Sequence, residues 1–386
     1  MLINTGQLYG EILLHRELTD LVFVRSEELL AGMCLARDIH FYDPSSQSSM
    51  ILKTGQKLTD MQVTQLCSAK LDGAYVDTVR SEVRVVSSIN QQIRREAISN
   101  IHSLADNFID SSKGVQKGDV EAIGNTTQEL IDSLSSHKDI LINIADIKMY
   151  DDYTYHHSLS VAIMAIAIGI ELGLNNEMLN EIGLAGLLHD IGKVAIPIDI
   201  ITKPGKLTAE EFNIVKMHPV HAAAHLHERN LVNENIYRGI VGHHEKLDGS
   251  GYPNHLKDTE IHPYARILAV ADVYDALTSN RPYRIPSPPN EAIELIMGSV
   301  GTHFDDRVVH AFLRKVAPFP TGSHVKLSNG ETAYVMKNYP DQPLRPMVAV
   351  IGADRVYDLS WDLSCLNIVI VELLEDKKLN RTLINM

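Results

Sequence analysis

Residues 243–253 read HHEKLDGSGYP. Two histidines stand side by side, acids follow at Glu245 and Asp248, and a glycine-rich run closes on Tyr252-Pro253. Adjacent histidines suit neither a core nor an ordinary surface, because a polar group buried without a partner costs about 2–7 kcal/mol. Gly249 and Gly251 give the backbone access to positive φ and to close approach, and the Tyr-Pro step stiffens the loop. A plain surface turn accounts for the glycines and leaves the histidines unexplained.

Histidine is concentrated around this stretch: thirteen of the eighteen lie between residues 156 and 310. Several interrupt apolar helical patterns. His157 heads the buried run SLSVAIMAIAIGIELGL, which is apolar nearly all round. His189 and Asp190 end LAGLL, His218 precedes a proline, and Asp272 lies inside LAVADVYDAL. With His243 and His244 these form a set on separate elements, and a metal centre offsets the burial cost of all of them together. Imidazole and carboxylate without thiolate suit Fe, Mn, Ni or catalytic Zn, and not structural Zn. Neighbouring side chains in a helix diverge by about 100°, so His243 and His244 can reach one ion only at a helix end. The other histidines have plainer readings. His221 and His225 fall at helical spacing from His218 and read as helix surface or packing, as do His227, His255, His262, His303 and His310. Asp275 reads as a cap or the partner of a cation.

The rest of the chain bounds the class. Its 386 residues suggest two or three domains. Three scattered cysteines form no CxxC pair, which argues against disulfides and thiolate zinc and fits a reducing cytoplasm. The first residues lack the pattern of a signal peptide, and the longest apolar run falls short of the ~20 residues that span a bilayer. A net charge of −14 argues against DNA or RNA polymers as partners, and leaves room for a small anion held by metals. The reading is a multidomain chain: residues 1–81 a small α/β or β-rich regulatory module, 82–140 a helical connector, 141–317 a mainly α-helical catalytic domain, and 318–386 a small antiparallel β extension. A helix start capped by Thr59 or Asp60, a capping box at Thr208 and Glu211, and a hairpin at Asn329-Gly330 are expected within it.

HHSLSVA, LLHDIGKVAIP, ITKPGKLTAEEF, KMHPVHA, HHEKLDGSGYP and RILAVADVYDALTSNRPYR resemble, in that order, the motifs of HD-GYP domains, a subgroup of the HD metal-dependent phosphohydrolases that degrade cyclic di-GMP. The resemblance covers roughly residues 141–315. It implies that His157, His189, Asp190 and Asp272 hold one metal. Asp190 then bridges to a second metal held by His218, His243 and His244. Lys193 would face a substrate phosphate and share the catalytic role with Asp190. It follows His189 by four, which helix geometry places on the same face. Arg281 and Arg284 of RPYR would grip the second phosphate, and Gly251 and Tyr252 would wall the substrate site. A glutamate that holds a third metal in some members is replaced here by Tyr153, so two metals are expected, with linear pGpG as the main product and slow onward conversion to GMP.

The resemblance therefore implies a cyclic di-GMP phosphodiesterase that uses a metal-bridging hydroxide. Two other classes stay open: a sensor or scaffold that docks a diguanylate cyclase through the GYP loop, and a hydrolase of another cyclic or guanosine nucleotide. A homodimer is also open.

Overall fold

A computed structural model describes residues 21–43, 48–69, 73–77, 91–109, 114–135, 153–203, 205–279, 287–321, 323–351, 353 and 355–374. The chain forms two compact units.

The first unit joins the two ends of the chain, Met1–Ser87 and Ala317–Met386. Its strands are β1 (Leu21–Arg25), β2 (Cys34–Leu35), β3 (Ile39–Asp43), β4 (Ser48–Leu52) and β5 (Gly73–Asp77), then β6 (His324–Leu327), β7 (Thr332–Lys337), β8 (Met347–Val350), β9 (Val356–Asp358) and β10 (Ile370–Leu374). They form a sheet ordered β1-β5-β2, a β3-β4 hairpin and a five-stranded antiparallel sheet ordered β10-β6-β7-β8-β9. Helix α1 (Asp60–Ser68) starts at Thr59, whose hydroxyl accepts from the Gln62 amide in a capping box. The β6–β7 hairpin turns at Asn329-Gly330, with Gly330 at φ +88. Strand β7 is buried on both faces, and the period of two divides its side chains between two cores. Ala333 and Val335 pack with Val325, Leu327, Val348 and Phe319. Tyr334 and Met336 pack instead with Val24, Leu35, Phe41, Leu66 and Val76 from the N-terminal strands. The two flanks, read from sequence as separate modules, thus share a core.

The second unit is helical and runs over Ser88–Ile142 and Tyr150–Val316. Its helices are α2 (Gln91–Ile109), α3 (Lys117–Ser135), α4 (Tyr153–Glu171), α5 (Asn176–Leu188), α6 (Ile198–Ile201), α7 (Ala209–Val215), α8 (His218–Glu228), α9 (Glu234–Gly242), α10 (Pro263–Thr278), α11 (Pro289–Gly298) and α12 (Asp306–Leu313). The stretch expected to be a connector supplies α2 and α3, which pack on α4 and α5 as part of this unit. Residues 159–168 of α4 are buried without interruption, as their all-round apolar sequence requires. Glycines let its neighbours close in. A Cβ at Gly186 would lie 2.7 Å from the Ala162 Cα, and one at Gly242 would lie 3.0 Å from the Ala265 Cβ. These contacts draw α5 against α4 and α9 against α10, and carry the histidine-bearing ends of α5 and α9 to one place.

Candidate metal centre

Three histidines sit at helix ends and are aimed in the same way. His189 caps α5 and donates Nδ1–H to the Gly186 carbonyl (2.8 Å), and His243 caps α9 and donates to Ile240 (2.6 Å). His218 opens α8 and donates to Val215 (2.7 Å). A bond at Nδ1 fixes the tautomer and leaves Nε2 as an acceptor turned inward. The fourth, His157 on α4, donates Nδ1–H to the Asp275 carboxylate at 2.7 Å. Of the two readings of Asp275, a cap or the partner of a cation, its side chain takes the second form: it pairs with a site histidine whose pKa it helps to raise.

Around these rings stand two carboxylates. Asp190 Oδ1 lies 3.2 Å from His218 Nε2, and Asp190 Oδ2 lies 3.5 Å from Nε2 of both His157 and His189. Asp272, on α10, lies 3.1 Å from His157 Nε2 and 3.7 Å from His244 Nδ1. Ligand atoms of His157, His189 and Asp272 fall within 4.8 Å of one another, as do those of His218, His243 and His244, and those of His189, Asp190 and His243. Asp190 stands between the first two groups. All seven side chains are buried except His244, which is partly open. Nε2 of His189, His218 and His243 and Oδ1 of Asp190 are buried with no hydrogen-bond partner. Unpartnered acceptors converging on carboxylates fit divalent cations, which take such lone pairs without needing a proton.

Charge states agree with that fit. Burial pushes the Asp190 carboxyl up, but Lys193, His189 and His218 outweigh it and hold the group well below the usual carboxylate range. Burial likewise opposes ionisation of Asp272, and the hydrogen bond to His157 reverses it. Burial lowers His189 and His243, and brings His244 down to about 3 against the pull of Asp272. His157 differs: burial lowers it, but hydrogen bonds to Asp272 and Asp275 raise it to about 9.

Lys193 reaches the cluster by another route than expected. Helix α5 stops at Leu188, so Lys193 does not share a helical face with His189. It lies on a 3-10 turn over Ile191–Ala195, and its ammonium donates to Asp190 Oδ2. At 31% exposure it also meets solvent. His221 is exposed and His225 packs against Phe108, so neither joins the cluster.

The loop after His244 is pinned by Glu245, a buried residue whose role the sequence reading missed. Its carboxylate accepts the amides of Asn254 (2.6 Å) and Leu256 (3.0 Å). Gly249 takes φ +81, as anticipated. Gly251 is needed for space instead: a Cβ there would lie 2.4 Å from the Lys246 nitrogen and 2.5 Å from the Glu245 Cα. The Tyr252 ring packs against that of His244, with centroids 4.7 Å apart and planes tilted by 32°. Arg281 and Arg284 lie outside the described residues, as does the side chain of Tyr153.

Residues 130–308 match the HD domain family. A cyclic di-GMP phosphodiesterase of Pseudomonas aeruginosa is 39% identical over 248 residues, which cover 64% of this chain and 59% of that protein. A 3'3'-cGAMP-specific phosphodiesterase of Vibrio cholerae is 36% identical over 186 residues, covering 48% of this chain and 42% of that protein. Among solved structures, Bd1817, an HDG"Y"P protein of Bdellovibrio bacteriovorus, aligns with a TM-score of 0.49 at 17% identity, over 76% of this chain and 98% of that one. The chain spans about half the length of the curated relatives it matches. No described helix is long and apolar enough to cross a membrane.

Proposed function

We propose that this chain is a metal-dependent phosphodiesterase that hydrolyses cyclic di-GMP to linear pGpG. The observation that carries the reading is the convergence of unpartnered Nε2 atoms from His189, His218 and His243 on Asp190, with Lys193 beside it. His157, His189, Asp190 and Asp272 would hold one ion, and His218, His243, His244 and the shared Asp190 a second. Fe or Mn suits this donor set best. Two such ions supply an acidified water and a clamp on phosphoryl oxygens.

The chain's own residues do the rest. Asp190 stays ionised at neutral pH and keeps the two ligand groups in register. The Lys193 ammonium, partly open to solvent, is placed to donate to a phosphoryl oxygen and to stabilise the charge that builds there. The carbonyls of Gly186, Val215 and Ile240, with Asp275, hold each imidazole in the acceptor tautomer. Tyr252, packed against His244, walls the open side. Arg281 and Arg284 remain candidates for a second phosphate contact.

The named activity of the Vibrio cholerae relative supports a second reading in which the substrate is a mixed cyclic dinucleotide. Parallel turnover of cyclic di-GMP and 3'3'-cGAMP by the Mn- or Fe-loaded chain, followed by chromatography, tests both. Faster loss of cyclic di-GMP with pGpG as product supports the first, and preference for the mixed dinucleotide replaces it with the second.

A further inference from the structure

Resting on the phosphodiesterase reading, we propose that Phe212 is the platform on which a nucleobase of the cyclic dinucleotide stacks. Phe212 lies on α7, and its ring is 44% exposed. It is one aromatic step from the metal centre. Tyr252 packs against His244 at 4.7 Å with planes tilted by 32°, and the Phe212 and Tyr252 rings meet in a T-shaped contact at 6.3 Å. A ligand with its phosphate at Lys193 therefore has an open apolar ring within reach of its next group outward.

The surroundings of the ring favour a flat apolar group. Ile198, Ile201, Ile214 and Met217 are all exposed, and α6 packs against α7. Single exposed apolar side chains are ordinary, but Ile198 and Ile201 on the helix packed against α7 add apolar surface on the side of a polar site, which fits a binding surface. The helix that carries the ring is held at its start. Thr208 and Glu211 form a capping box at the start of α7, and Glu211 also accepts from Lys203 at 2.7 Å. The platform is thus held in place and left open. Every nucleobase has a π face, so stacking suits the base without dictating which one. Lys216 covers one side of the ring. Its ammonium lies over one face of the Phe212 ring, 4.8 Å from the ring centre, and leaves the opposite face for a base.

The test compares wild type, Phe212→Ala and Phe212→Trp as full-length, metal-loaded protein. Three quantities are read: KM for cyclic di-GMP, inhibition by GMP, and inhibition by inorganic phosphate. Phe212→Ala should raise KM and weaken GMP by about five- to hundredfold, while phosphate inhibition, kcat and metal content hold. Phe212→Trp should restore the lost affinity. Equal weakening of GMP and phosphate, or no weakening of either, would overturn the platform. A wild type that turns over no cyclic dinucleotide overturns the phosphodiesterase reading itself, an outcome visible before any variant is made.

Discussion

Asp275 and Asp272 stand one helical turn apart on α10 and hold the two nitrogens of the same ring: Asp275 meets His157 Nδ1 at 2.7 Å, and Asp272 lies 3.1 Å from Nε2. Only Nε2 faces the other ligands, so Asp275 orients and Asp272 shares the site. Outer partners of this kind typically contribute a factor of about 10–100 in metal affinity. Asp275→Ala should weaken metal binding by that factor in a competition titration. Asp275→Asn keeps an acceptor for Nδ1–H and should lose much less. Equal losses would show that charge, not ring orientation, is what Asp275 provides.

The same pair of bonds predicts proton release. In the metal-free chain His157 titrates at about 9, so it is protonated at pH 7. Offering Nε2 to a metal requires that proton to leave. His189, His243 and His244 are lowered and already neutral there. Metal affinity should therefore rise with pH through neutrality and level off above about 9. Calorimetry at pH 7 in two buffers of different ionisation heat should find about one proton released per chain from this ring. Release of none would contradict the His157 assignment.

Glu245 makes a separate prediction about the loop. Its two backbone hydrogen bonds close residues 245–256 into one turn against His244. Glu245→Ala leaves two amides without their charged acceptor and should destabilise the fold by about 2–3 kcal/mol. Denaturant unfolding reads this directly. Loss of activity without loss of stability would mean that Glu245 acts at the reaction centre and not on the loop.

Gly251→Ala tests the same loop from its other side. The added methyl meets the backbone of Glu245 and Lys246, which cannot swing away as a side chain can. Overpacking of this kind costs about 1–3 kcal/mol. The displacement should lift Tyr252 from His244 and lower turnover more than metal content. Gly249→Ala should also be strained, through its φ of +81. A Gly251→Ala chain with wild-type turnover would remove the close-packing argument.

Much of this was legible in the sequence because burial makes polar residues conspicuous. His189, Asp190 and Asp272 interrupt apolar helices, and the fold brings them together. The capping box at Thr208 and the Asn329-Gly330 hairpin rest on local chemistry and appear where that chemistry places them. What was hidden depends on distant partners. Glu245 looks like any acid after a helix, since its ligands are main-chain amides nine and eleven residues on. Asp275 shows its role only once α4 lies beside α10. The helix through Lys193 was overextended because an apolar run continues past His189 while the backbone tightens into a 3-10 turn. The core shared by the two chain ends has no local signature, although the alternation in β7 shows that both its faces must be covered.

The central claim is that Asp190 joins two metal ions in a phosphodiesterase site. The direct test purifies wild type and Asp190→Ala without oxygen, loads both with Fe(II) or Mn(II), counts metal per chain and follows cyclic di-GMP by chromatography. Two metals and conversion to pGpG in the wild type, with both lost in Asp190→Ala while the fold is retained, is the predicted result. Hydrolysis that survives in Asp190→Ala, or a wild type that binds two metals and leaves the dinucleotide intact, would contradict it.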